Sequence, residues 1–167
     1  YVHAVFQGIV ENGIRNLAQC AAAIGDKMQI VALSGADYGT QRGPLFSADV
    51  YRELFKPYHK ALNDWVHRNT VWKTWMHSCG GVEPLIPELI EAGFDILNPV
   101  QCSADGMDPR HLKREYGREI VFWGGGVNTQ ATLPFGTPAE VRREVLERLE
   151  IFAPGGGYVF SAIHNIQ

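Results

Sequence analysis

Hydrophobic positions along this chain switch repeatedly between a spacing of about four residues and short continuous runs, the pattern of helices alternating with buried strands. Between Glu11 and Ile24, residues Ile14, Leu17, Ala18, Ala21 and Ile24 fall at helical spacing, and Gly25-Asp26 closes the segment as a C-cap. Met28 to Leu33 is a nearly unbroken apolar run that reads as a strand buried on both faces, and it ends in the polar loop from Ser34 to Gly39. Ser47 opens a long helix with Val50, Leu54, Tyr58, Leu62 and Trp65 on one stripe, with a kink expected at Pro57. Val71 to His77 is the second strand, and its alternation sets Lys73, Trp75 and His77 on one face.

The same alternation continues to the C-terminus. Pro84 to Ala92 reads as a helix closed by Gly93, followed by a strand from Phe94 to Asn98. Asp108-Pro109 gives an N-cap and a first-turn proline to a helix that Gly117 stops. Ile120 to Trp123 is a fourth strand running into Gly124-Gly125-Gly126. Thr137-Pro138-Ala139-Glu140 is a capping box that starts a helix with Val141, Val145, Leu149 and Phe152 on its apolar stripe. Gly155-Gly156-Gly157 leads to a fifth strand, Tyr158 to Ala162.

Strands alternating with helices in this way require a parallel sheet, and polar or glycine-rich segments fall at the C-terminal ends of the strands, where α/β sheets and barrels place their sites. The expected fold is α/β, a (β/α)8 TIM barrel. A full barrel usually takes about 250 residues. With 167 residues and about five strands, residues 1–167 read as the C-terminal portion of a single barrel domain whose first strands precede Tyr1.

Composition narrows the classes. The chain is 46% hydrophobic and 20% charged, with a formal net charge of -3 and scattered Lys and Arg, so it carries no nucleic-acid footprint. It lacks an apolar stretch long enough for a membrane span. Three cysteines, Cys20, Cys79 and Cys102, fit a reduced cytoplasm better than a disulfide framework.

The chemistry concentrates in Trp75-Met76-His77-Ser78-Cys79-Gly80-Gly81, at the end of the second strand. An imidazole and a thiol two residues apart, with glycines that let the backbone turn sharply, make half of a zinc site. His164 is the best candidate for a third ligand, with Cys102 the alternative. Asp37 ends the first strand as a contact for substrate or for a ligand histidine. Gln41, Asn98, Gln101, Asn128 and Gln130 each follow a strand and are candidate pocket residues, with turn hydrogen bonding the plainer role. The Gly124 to Gly126 run offers either a phosphate cradle or room for a bulky group. Lys73, on the face of His77, needs a partner that the sequence does not identify. Among the tryptophans, Trp75 and Trp123 are placed to reach a ligand.

A series of segments resembles the uroporphyrinogen decarboxylase superfamily, and within it the corrinoid-dependent methyltransferases. These are Gly35 to Gln41, Lys56-Pro57-Tyr58, His77-Ser78-Cys79-Gly80-Gly81, Asp95 to Gln101, Gly124 to Gln130 and Gly155 to Asn165. The resemblance implies a (β/α)8 barrel. Its methyltransferase branch implies a zinc held by His-x-Cys and a later cysteine, a corrinoid carried by a partner protein, and a small methyl donor or thiol as substrate. Here Ile163-His164-Asn165 stands where that later cysteine is expected, and Ala36 replaces the first of two adjacent acids. The implied site is His77, Cys79 and His164 on the metal, with Asp37, His77 and His164 catalytic. A tetrapyrrole decarboxylase and a non-catalytic barrel fragment are the alternatives.

Overall fold

A computed structural model describes residues 1–164 and 166. Asn165, which closes the last of the motifs above, lies outside them, as does Gln167. The chain begins with helix α1 (Val2–Ile24) and strand β1 (Ile30–Ser34). A small antiparallel hairpin follows, β2 (Gly39–Thr40) and β3 (Gly43–Pro44). Helices α2 (Ala48–Leu54) and α3 (Lys56–Asn69) lead to β4 (Lys73–His77). A 3-10 turn (Glu83–Leu85) and α4 (Ile86–Glu91) precede β5 (Ile96–Asn98). Then come α5 (Pro109–Tyr116), β6 (Val121–Trp123), α6 (Thr132–Phe135), α7 (Pro138–Phe152) and β7 (Tyr158–Val159).

Five strands form one sheet in the order β1-β4-β5-β6-β7, every pairing parallel, as expected of part of a (β/α)8 barrel. Thr74 and Met76 on β4 are fully buried while Lys73, Trp75 and His77 alternate with them on the opposite face. The main core lies under the first of these faces. Met76, Leu97 and Phe122 from three strands pack there with Tyr51, Leu89, Leu112 and Phe152 from helices. Burying a side chain of this size stabilises by about 1.5–3 kcal/mol, so this layer fixes the strand register. Register in turn places His77 directly beside Asn98.

Local signals account for the helix ends. Ser47 accepts from the Val50 N–H, Asp108 accepts from His111, and Thr137 with Glu140 closes a complete capping box. Three expectations are corrected. The helix from Ser47 is not kinked at Pro57 but broken at Phe55, with Pro57 seated in the first turn of α3 where its missing N–H costs nothing. Helix α1 starts nine residues earlier than Glu11: Phe6 packs against Phe55 and Tyr58 and Val10 is buried, so the inward stripe runs back through this segment although Val2, Val5 and Ile9 are exposed. Lys73 does not enter an interior; it stands exposed at the start of β4, 3.2 Å from Asp95.

Candidate metal centre

His77 ends β4, and Ser78 between it and Cys79 points the opposite way, into the buried layer. The Ser78 hydroxyl accepts from the Tyr38 N–H at 2.9 Å, and its own N–H donates to the Asn98 carbonyl at 2.7 Å. The loop after β1 is thereby fastened against the His-x-Cys turn. Asp37, the neighbour of Tyr38, accepts from the Cys79 N–H at 2.9 Å, and its Oδ1 lies 3.7 Å from His77 Nε2.

His164 arrives from the far side of the sheet. Beyond β7 the chain keeps pairing with the segment after β6, through Gly126 N–H to Ser161 O at 2.9 Å and Ile163 N–H to Val127 O at 3.2 Å. This brings the His164 ring to 5.9 Å from that of His77, the planes tilted by 71°. The nitrogens of the two histidines and the Cys79 sulfur all lie within 4.8 Å of one another, the one such group of metal-ligating side chains among the described residues.

The donor set fits zinc. Cys79 Sγ lies 3.4 Å from His77 Nε2. A tetrahedral zinc with bonds of about 2.3 Å to sulfur and 2.0 Å to nitrogen holds such a pair about 3.5 Å apart, so these two atoms already stand at ligand spacing. His164 is exposed, with a ring nitrogen within 4.8 Å of both. Burial, reinforced by the charge and hydrogen bonding of Asp37, pushes the Cys79 thiol up to about 11. A cation at this point supplies the opposite charge that a thiolate needs.

Cys102, the alternative ligand, is not in the group. It packs against the main core, its thiol directed to the Val100 carbonyl at 3.6 Å, and burial pushes its pKa up to about 12. The adjacent glycines explain themselves by close approach. A Cβ on Gly125 would stand 3.1 Å from the Cys102 sulfur, and one on Gly126 would stand 2.5 Å from the Phe160 ring. Backbone packing is therefore what Gly124 to Gly126 provide.

The five amides separate into two groups. Gln41, Gln101 and Gln130 line a cavity of about 260 Å³ with Cys79, Gly80 and His164. They are joined to one another: Gln41 Nε2 donates to Gln130 Oε1 at 3.0 Å and Gln101 Nε2 to the same oxygen at 3.5 Å, while buried Gln101 accepts from the Gly80 N–H at 2.9 Å. Asn128 and Asn98 are engaged elsewhere. Asn128 accepts from the N–H groups of Gln130 and Ala131, capping its own turn, while Asn98 binds His77 Nδ1 at 2.7 Å. Sequence reasoning assigned Asn98 to the pocket, and only the β4–β5 register reveals its partner. Trp75 and Trp123 pack edge to face at 6.5 Å beneath His77, where Trp75 also contacts the His77 ring at 5.8 Å.

A parallel α/β sheet with its chemistry gathered beyond the strand ends is the class these observations define. The family model described as uroporphyrinogen decarboxylase (URO-D) matches residues 1–167, and the chain belongs to that family. A uroporphyrinogen decarboxylase from Sodalis glossinidius (strain morsitans) is 30% identical over 132 residues, covering 77% of this chain and 35% of the relative. A methyltransferase from Methanosarcina mazei shares the fold with a TM-score of 0.61 at 21% identity, over 83% of this chain and 36% of that one. The chain thus spans about a third of the length of these relatives. The family is one of enzymes. Among the described residues no helix is long and apolar enough to cross a membrane.

Proposed function

We propose that the chain is the C-terminal, zinc-binding portion of a single-barrel cytoplasmic methyltransferase that moves a methyl group between a small methylated donor or thiol and a corrinoid protein. The observation that carries this reading is the convergence of His77, Cys79 and His164 at ligand spacing. Likeness to a methanogen methyltransferase supports it.

Zinc bound there by one thiolate and two neutral imidazoles keeps a net charge of +1 and supplies Lewis acidity toward the oxygen or nitrogen of a methylated donor. The chain's own residues do the rest. Asp37 holds the Cys79 backbone in place and lies close enough to the His77 Nε2 edge to fix where the ligand pair points. The linked amides of Gln41, Gln101 and Gln130 wall the small cavity and offer N–H donors and carbonyl acceptors to a polar substrate. That cavity suits a compact donor end, because its volume lies just under the roughly 300 Å³ at which small-molecule sites begin.

A second reading, decarboxylation of a tetrapyrrole, is favoured by the 30% identity to a uroporphyrinogen decarboxylase. The two separate on metal dependence. The purified protein is assayed for zinc by elemental analysis beside Cys79→Ser and His164→Ala, and for methyl transfer with a reduced corrinoid protein on aryl methyl ethers and on thiols. About one zinc per chain, lost in both variants, with transfer from an ether, supports the methyltransferase. Absence of zinc, with carbon dioxide released from a tetrapyrrole carboxylate, overturns it.

A further inference from the structure

We propose that Asn98 is a positioning residue that sets the tautomer of His77 and so aims the Nε2 lone pair at the metal. The geometry allows one assignment of atoms. The Asn98 side chain bridges two groups: it lies 3.0 Å from the Trp123 carbonyl oxygen and 2.7 Å from His77 Nδ1. A carbonyl oxygen only accepts, so the amide end facing Trp123 is the NH2, and the end facing His77 is the oxygen. An amide oxygen only accepts in its turn, so Nδ1 carries the proton. In the neutral ring that leaves Nε2 bare, and Nε2 is the atom 3.4 Å from Cys79 Sγ.

The arrangement is built into the sheet rather than added by a flexible loop. His77 and Asn98 are register partners on β4 and β5, and the Asn98 carbonyl also receives the Ser78 N–H at 2.7 Å. Trp123 belongs to the next strand, β6, so three adjacent strands set the orientation of one imidazole. An outer partner that presents only an acceptor to the ring raises the basicity of the ligand nitrogen and removes the entropy of ring rotation before metal arrives. The effect on zinc rests on the metal site proposed above; the tautomer does not.

The test uses protein labelled with 15N-histidine, purified without metal, with His77→Gln assigning the resonance among six histidines. Long-range 1H–15N correlation at pH 8 is expected to show His77 protonated at Nδ1 and bare at Nε2. In Asn98→Ala the ring shifts toward the Nε2–H form and the zinc Kd rises about 10–100-fold. Asn98→Asp keeps an acceptor at Nδ1 and restores both. A wild-type His77 protonated at Nε2 overturns the proposal, as does an Asn98→Ala protein with unchanged tautomer and unchanged zinc Kd. Wild-type protein that shows the expected tautomer but binds no zinc sinks the metal site and leaves the orientation of His77 by Asn98 standing.

Discussion

Gly39 and Cys79 meet backbone to backbone: a Cβ on Gly39 would stand 2.6 Å from the Cys79 carbonyl oxygen. The hairpin carrying Gln41 is therefore seated on the turn carrying Cys79, and the Gly81 N–H donates to Thr40 O at 2.8 Å to hold it there. Gly80 completes the contact with a φ of +87°, a conformation that an L side chain adopts only under strain, and a Cβ on it would stand 2.6 Å from the Thr40 N. Gly80→Ala is expected to cost more than about 2 kcal/mol and to displace the hairpin. Urea unfolding measures the first effect. Loss of zinc binding in variant protein that is still folded measures the second; a Gly80→Ala protein with wild-type zinc affinity would show that the hairpin does not brace the site.

The two ligands of the turn and the one beyond β7 should differ in their variants. Cys79→Ser replaces the thiolate with a hydroxyl that stays protonated, and zinc affinity is expected to fall by more than the roughly 10–100-fold typical of outer partners. His164→Ala removes an exposed ring, so in metal-free protein its stability should change by less than about 0.5 kcal/mol, and only the stabilisation that zinc adds should be lost. Competition with a chromogenic chelator, run beside thermal unfolding, separates the two. Equal zinc affinity for His164→Ala and wild type would exclude His164 as a ligand.

Strand and helix order was legible because buried runs and capping residues are local signals. Asp108, Thr137 and Pro138 mark their helices unaided. The His-x-Cys pair was legible for the same reason. What could not be read was anything decided across strands. The role of Asn98 depends on its register against His77, and the ion pair of Lys73 depends on Asp95, which stands just before the neighbouring strand. The hairpin at Gly39 to Pro44 was invisible because its strands have two residues each, too short for alternation to show. Cys102 stood as an alternative to His164 until packing turned its thiol toward the core.

Glu88 is buried at 7% exposure and ties α2 and α3 to α4. Its Oε1 accepts from Arg52 Nη2 at 2.5 Å and its Oε2 from Lys56 Nζ at 2.7 Å, hydrogen bonds that hold the carboxyl below its ordinary range. Glu88→Gln leaves Lys56 without a countercharge on that side, although Glu91 still pairs with it. A buried pair broken at one partner costs about 3–5 kcal/mol. Arg52 is half exposed, so a loss of about 2 kcal/mol is expected here. Urea unfolding at pH 7 checks it. A cost within about 0.5 kcal/mol, the range typical of surface changes, would mean that solvent already screens the pair.

His59 gives the fold a pH dependence of its own. Its Nδ1 lies 2.8 Å from the Tyr51 hydroxyl, its Nε2 lies 3.5 Å from the Tyr38 hydroxyl, and Phe94 packs edge-on against the ring at 5.2 Å. Among the described residues no carboxylate is hydrogen-bonded to it, and burial lowers its pKa to about 4. In the unfolded chain the same imidazole titrates near its ordinary value of about 6.5. Above that pH neither state binds the proton and the contribution is flat. Between about 6.5 and 4 the unfolded state binds it and the folded state does not, so stability falls as pH falls. Between pH 7.5 and 5 the loss from this one group is about 2 kcal/mol. Asp95 and Glu88, both held below their ordinary range, stay ionised in the folded state throughout that window and release their stability only at lower pH. Urea unfolding of wild type and His59→Gln at both pH values isolates the effect: the variant should lose about 2 kcal/mol less on acidification than wild type. Parallel losses in the two proteins would show that His59 takes up its proton in the folded state, with the tyrosine hydroxyls turned to accept from it.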